Sequence, residues 1–269
     1  MLVTLGLLAV WFVAYALGLS GLQERADQRV LYGQLREQLA LATAPVGGAI
    51  SPGAPIAVLQ IPALGVSNDV VVEGTSSSAL RLGPGHRRDT PLPGQAGVSL
   101  VYGRSVTFGA PFRNLSALGP KDTIVVTTGQ GEFTYVVDSV RRPGDPLPPP
   151  PAADQGRLTL VSAEGSGRLA SFTASDTVFV DATMQGKVQP VLAGRPASVG
   201  DAETSMGSDT SGLVALVLWL EALVLVAVGV VWAARRWGGW QTWVVSVPVV
   251  LAVLWGTTSV AFGLLPNLL

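Results

Sequence analysis

The sequence predicts an all-β domain outside the membrane, carried on three transmembrane helices, one before it and two after it. Three observations predict this class. Charged residues make up 13% of the 269-residue chain while hydrophobic ones reach 48%, whereas a water-soluble domain carries about 25% charge. Strongly apolar runs of membrane-spanning length, uncharged or nearly so, lie at the start of the chain and twice near its end. Between them the chain breaks into short β-branched stretches bounded by Gly, Pro, Asp and Asn, the pattern of strands and turns.

Residues 1–22 contain no charge. At about 1.5 Å per residue, about 20 such residues cross the hydrocarbon core of a bilayer. The run exceeds the ~7–15 apolar residues of a cleaved leader and no basic segment precedes it, so a signal anchor is expected. Residues 23–55 follow as a juxtamembrane helix, with Val30, Leu31, Leu35, Leu39 and Leu41 among charges at helical spacing. The Gly/Pro-rich "TAPVGGAISPGAP" then ends that helix as a linker. Residues 56–184 hold the strand-like stretches "IAVLQIP", "VSLVYG", "DTIVVTT", "EFTYVVDSV", "RLTLVSA" and "DTVFVDATM", which suit a barrel or sandwich. The proline run within residues 145–156 cannot be a central strand. Residues 185–211 are small, polar and Ser/Gly/Asp-rich, and a flexible linker is expected there.

Two further spans are predicted at residues 212–234 and 240–265, joined by the 235–239 loop that carries Arg235 and Arg236. Short arginine-bearing loops stay in the cytoplasm. Parity then directs the first span outward and puts the β-domain outside the plasma membrane. Trp237, Trp240 and Trp243 stand beside the arginines, where an interfacial aromatic belt belongs.

Composition removes several function classes. A net charge of −1 makes no electrostatic case for nucleic acid. The chain has no cysteine, so disulfides, thiolate metal sites and cysteine nucleophiles are out. Its single histidine, His86, rules out a histidine-rich metal centre. No metal and no cofactor are expected.

Several stretches of the β-domain resemble one family in order. "IPALGVSNDVVVEG" (61–74), "LGPGHRRDTPLPGQAG" (82–97), "TFGAPFRNLSALGPKDTIVV" (107–126), "FTYVVDSV" and "LTLVSA" are similar to successive motifs of the sortases, especially the class D and E subgroups. Sortases are cell-surface transpeptidases of Gram-positive bacteria that join a surface protein to an amine through a thioacyl intermediate. The resemblance implies an eight-stranded β-barrel and a reactive His, Cys and Arg. In this chain the matching positions hold Arg104, Ala163 and, in the last strand, Thr177. Alanine has no group that can attack a carbonyl. A guanidinium stays protonated through the physiological range and cannot serve as acid and base. Losing the strand arginine removes a donor to the oxyanion. The resemblance therefore implies a degenerate site, with no catalytic residue expected.

One rescue is open to the sequence: an active transpeptidase or hydrolase using Ser162 as nucleophile. Neighbouring strand residues face opposite sides, so Ser162 is expected to point away from the cleft that Ala163 faces. A serine also needs a base, and His86 occupies a turn position in the resemblance. Glu164 and Asp176, near the ends of the last two strands, are an even weaker carboxylate pair. With chemistry set aside, Tyr102, Arg104 and Phe108 are the candidate lining of a ligand cleft. Arg104 is either an anion anchor there or an ordinary exposed loop residue. The retained groove strands imply recognition of an extended peptide without cleavage.

Glu221 lies near the middle of the second span. A carboxylate at that depth costs at least ~2.5–3.5 kcal/mol, so such residues face a partner or a polar cavity. Contact with another membrane or cell-envelope protein is expected through Glu221. The expected function is binding or scaffolding at the bacterial cell surface as a membrane-complex subunit.

Overall fold

The computed structural model describes residues 10–165 and 176–269. Residues 1–9, the first part of the predicted signal anchor, and residues 166–175 lie outside the described residues. The chain divides into two compact units, one of residues up to Tyr15 with Asp209–Leu265, the other of Ala16–Ser208 with Pro266–Leu269.

The larger unit is built on eight strands: β1 (Pro55–Ile61), β2 (Val66–Glu73), β3 (Gly85–His86), β4 (Gly97–Tyr102), β5 (Thr123–Thr128), β6 (Gly131–Arg141), β7 (Gly156–Glu164) and β8 (Asp176–Gln185). They close into a barrel in the order β1-β2-β3-β4-β7-β8-β6-β5, which removes free sheet edges. Strand alternation explains the interior. Phe133, Tyr135 and Val137 of β6, Ile124 and Val126 of β5, and Leu158 and Leu160 of β7 all enter one buried core. No strand crosses the proline-rich stretch of residues 145–155.

β3 is only two residues long, and its existence depends on close approach. Gly85 lies beside Val72 in parallel register, and a Cβ at Gly85 would run into the Gly74 carbonyl. A helix of residues 20–40 (α1, Ser20–Ala40) covers the outer face of β1 and β2. Its Leu31 and Leu35 pack with Val58, Val70 and Val72, while Val30 stays exposed. Gln28 of α1 hydrogen-bonds Val70 N at 2.7 Å, Val70 O at 3.0 Å and Leu82 O at 2.7 Å, tying the helix to β2.

Residues 185–208, expected as a flexible linker, are instead fastened to the barrel. Arg195 reaches the buried Glu73 at 2.5 Å, Arg88 pairs with Glu203 at 2.5 Å, and Thr75 Oγ1 donates to Glu203 O at 2.6 Å. Low hydrophobicity did not mean disorder here, because charged and backbone groups supply the contacts.

The smaller unit holds two long helices, α3 (Leu213–Trp237) and α4 (Gly239–Gly263), a short helix α2 (Ser77–Leu80) belonging to the barrel. Both α3 and α4 are long and apolar enough to cross a membrane. Within this unit Trp11 Nε1 donates to Thr258 Oγ1 at 3.0 Å, and Tyr15 meets Trp255 edge-on with centroids 5.5 Å apart. Around the loop, Arg236 lies over Trp232 at 5.7 Å and Trp240 stacks on Trp243 at 5.6 Å.

Candidate functional site

β4, β7 and β8 lie side by side in the barrel, and their ends bring the degenerate positions together. β7 and β8 are antiparallel in a register that sets Ala163 directly opposite Thr177. β4 runs parallel to β7 with Tyr102 beside Val161. The chain leaves β4 through Gly103, whose N–H donates to Val161 O at 3.0 Å. This glycine has no space for a side chain, since a Cβ would strike the ring of Phe112. Arg104 follows it.

β7 alternates as expected. Leu158 and Leu160 belong to the barrel core, whereas Val161 and Ala163 join a separate outer cluster with Leu80, Tyr102 and Leu268. Ser162 is fully buried, and its Oγ donates to Gly103 O at 2.9 Å. The histidine that a serine nucleophile would need is engaged elsewhere. His86 is not a turn residue but the second residue of β3, buried, with Nδ1 3.1 Å from Glu73 Oε2 and Nε2 2.9 Å from Pro91 O. Glu164 and Asp176 stand opposite each other in register. Glu164 is ion-paired to Arg142 at 2.6 Å, and the hydrogen bond from Arg142 holds its carboxyl below the usual carboxylate range. It is an ionised surface pair, not an acid poised to give a proton.

The three residues expected to line an open cleft are all buried. Tyr102 is 2% exposed and Arg104 and Phe108 are 0% exposed. Arg104 is therefore neither an exposed loop residue nor an open anion anchor. Its Nη2 donates to Ser77 Oγ at 2.7 Å and Ser77 O at 3.0 Å, and its Nη1 to Thr107 Oγ1 at 3.0 Å. The guanidinium lies over the Phe108 ring at 5.0 Å, a favourable cation–π placement. Phe108 itself is held at φ +50°, a region non-glycine residues seldom occupy. Burial, reinforced by nearby Arg81, pushes Arg104 down to about 9. It stays cationic at neutral pH and cannot act as a general base.

What covers Tyr102 and Ala163 is a segment that sequence reasoning missed. Residues Pro266–Leu269 fold with the barrel unit. Leu268 is fully buried in the cluster that contains Tyr102 and Ala163. Ser105 N donates to Leu268 O at 3.0 Å and Thr107 N to Leu269 O at 3.0 Å. Thr107 Oγ1 also donates to Leu269 O at 2.7 Å. Asn267 Nδ2 donates to Thr75 O at 2.7 Å and Thr204 O at 2.8 Å. Four residues after an apolar span carry no periodicity, so the only signal was the Pro-Asn pair that stops the helix. Among the described residues no cluster of His, Asp and Glu could hold a metal ion.

Glu221 lies on α3 and is exposed within its unit. On α4 the hydroxyls of Thr257 and Thr258 bond back to Val253 O at 2.8 Å and Leu254 O at 2.6 Å of their own helix.

Comparison with known proteins agrees on one family. The sortase domain model matches residues 59–184. Sortase SrtE1 of Streptomyces coelicolor is 33% identical over 148 residues, which are 51% of this chain and 41% of the relative. The chain thus spans about two fifths of the length of that curated relative. Among solved structures, sortase E of Streptomyces avermitilis is 33% identical, with a TM-score of 0.42 over 55% of this chain and 97% of that one. A Clostridium perfringens sortase D5 transpeptidase is 23% identical, with a TM-score of 0.48 over 60% of this chain and 99% of that one. The barrel that sets Ala163 against Thr177 is a sortase domain, matched over residues 59–184.

Proposed function

We propose that this chain is a membrane-anchored sortase-domain protein that binds or scaffolds at the bacterial cell surface without performing the transfer its relatives are named for. The observation that carries this reading is the cross-strand pair Ala163–Thr177. Ala163 carries no attacking atom, and Thr177 opposite it carries no guanidinium for an oxyanion. The cation at the old histidine position, Arg104, is turned into the fold, where its Nη atoms donate to Ser77 and Thr107. Oxyanion stabilisation alone is typically worth about 3–4 kcal/mol, and a missing nucleophile removes the covalent route altogether.

Anchoring is assigned to α3 and α4, with Arg235 and Arg236 in the last turn of α3 keeping that end cytoplasmic. Parity then sends both flanking segments, the barrel before α3 and the tail after α4, to the outside, in keeping with their folding as one unit. Glu221, exposed on α3, is the contact for another membrane protein that offers a donor at that depth.

A transfer assay tests the reading. The purified full chain, given a sortase substrate peptide and an amine acceptor, is expected to release product no faster than the peptide and amine alone, beside an active sortase as positive control. Product formation above that blank that disappears in Ser162→Ala would overturn it in favour of an atypical serine enzyme.

A further inference from the structure

We infer that the old reaction groove has become a socket for the chain's own turn Pro266–Leu269, and that it takes a peptide from solution only when that turn leaves. The inference deepens the binding function proposed above and rests on it, since it names what the groove holds.

The residues of the turn are specified in detail. Leu269 N donates to Pro266 O at 3.0 Å, so the segment is a tight turn and not an extended strand. The extended peptide implied by the family resemblance is therefore not the shape that fills the groove here. Asn267 is 0% exposed, and its amide nitrogen bridges two carbonyls, Thr75 O and Thr204 O. Its own N–H is taken by Gly207 O at 2.9 Å. Leu268 fills the apolar cluster of Leu80, Tyr102, Val161 and Ala163. A small side chain at 163 leaves room for that leucine at the position where the family keeps its thiol.

The histidine position is reused as well. Arg104 donates to Thr107 Oγ1, and the same hydroxyl donates to Leu269 O. Arg104 is thus a positioning residue for the seat: it aims Thr107 at the turn. Ser105 and Thr107 present their N–H groups two residues apart to successive main-chain oxygens of Leu268 and Leu269. Two of the three degenerate positions, Ala163 and Arg104, consequently serve the turn, which accounts for their identities better than loss of function alone. Ser205 Oγ donates to Tyr102 Oη at 3.0 Å, so the stretch around residue 204 forms one wall of the same socket.

The absence of cysteine makes the test direct. Ser105→Cys, a nearly isosteric reporter under the turn, is introduced into the full chain in detergent and its maleimide labelling rate is measured. The rate is expected to be slow, to rise at least tenfold when Asn267→Ala and Leu268→Asp are added, and to fall again with millimolar Pro-Asn-Leu-Leu peptide. Leu268→Ala, which only empties the pocket, is expected to move the rate the same way by less. Ser162→Cys in the same tail variants stays unlabelled, since its position opens only when the barrel unfolds. Equal rates with and without the tail substitutions would overturn the proposal, as would a raised rate that the peptide cannot lower. If Ser162→Cys labels in the Asp variant, the Leu268→Ala pair decides by the same two criteria. Labelling reads occupancy and not turnover, so a failure here is distinguishable from the discovery of transfer activity.

Discussion

At Ala163, Ser162 and Glu24 single side chains decide what the barrel can do. Alternation along β7 places Ala163 outward and Ser162 inward, and this much was legible from the period of two in "LTLVSA". The identity of Arg104 was legible too, but not its fate, because its partners Ser77 and Thr107 become neighbours only through folding. Glu24 was invisible as a special residue among the charges of the juxtamembrane stretch. In the structure it is buried on α1, beside a cavity of about 610 Å³ that Asp69, Gln28 and Tyr32 also line. Burial first, and then the nearby Asp69, raise its carboxyl from 4.5 to about 8, while burial lifts Asp69 to about 6. A carboxyl whose pKa is raised on folding favours the protonated folded state. The stability it supplies is complete below about 4.5 and is lost as the pH rises through about 8. The melting temperature of the barrel is therefore expected to fall between pH 5 and pH 8.5, and Glu24→Gln is expected to flatten that slope. A slope unchanged in Glu24→Gln would assign the pH dependence to other groups.

Among the elements, the long strands and both apolar helices announce themselves by composition, whereas the pieces that finish the site do not. β5, β6, β7 and β8 fall on stretches rich in Val, Ile, Thr, Phe and Tyr, since such residues suit a half-buried pleated surface. β3 escaped because two residues, Gly85 and His86, have no pattern, and their pairing with Val72 and Glu73 is set by tertiary contact. The segment of residues 185–208 escaped for the opposite reason: its polar composition reads as disorder, yet its arginine finds a buried acid. Glu73 is 1% exposed and accepts from Arg195 while touching His86. Removing Arg195 leaves that acid without its cation, and breaking a buried pair in this way costs about 3–5 kcal/mol. Arg195→Ala is expected to lower barrel stability by that order and to open residues 186–200 to limited proteolysis while the strands persist. Protection equal to the parent would show that Thr75–Glu203 and Arg88–Glu203 suffice to hold the segment.

For the molecule as a whole, two features stand out: a groove filled by its own turn, and a carboxylate on a helix apolar enough to cross a membrane. The turn lies more than 160 residues from Ser105 and Thr107 along the chain, a separation that no local pattern can report. Glu221 was legible at once, because a charge in an apolar run is costly and therefore meaningful. On the function proposed above, both features fit a subunit that recognises rather than reacts. The most direct test of that claim is purification of the full chain from its native membrane in mild detergent, with quantitative mass spectrometry of whatever accompanies it, beside Glu221→Leu. A membrane or cell-envelope protein is expected in near-stoichiometric amount and is expected to be lost from the Glu221→Leu preparation. A chain that purifies alone, or a partner retained equally by both forms, would contradict it.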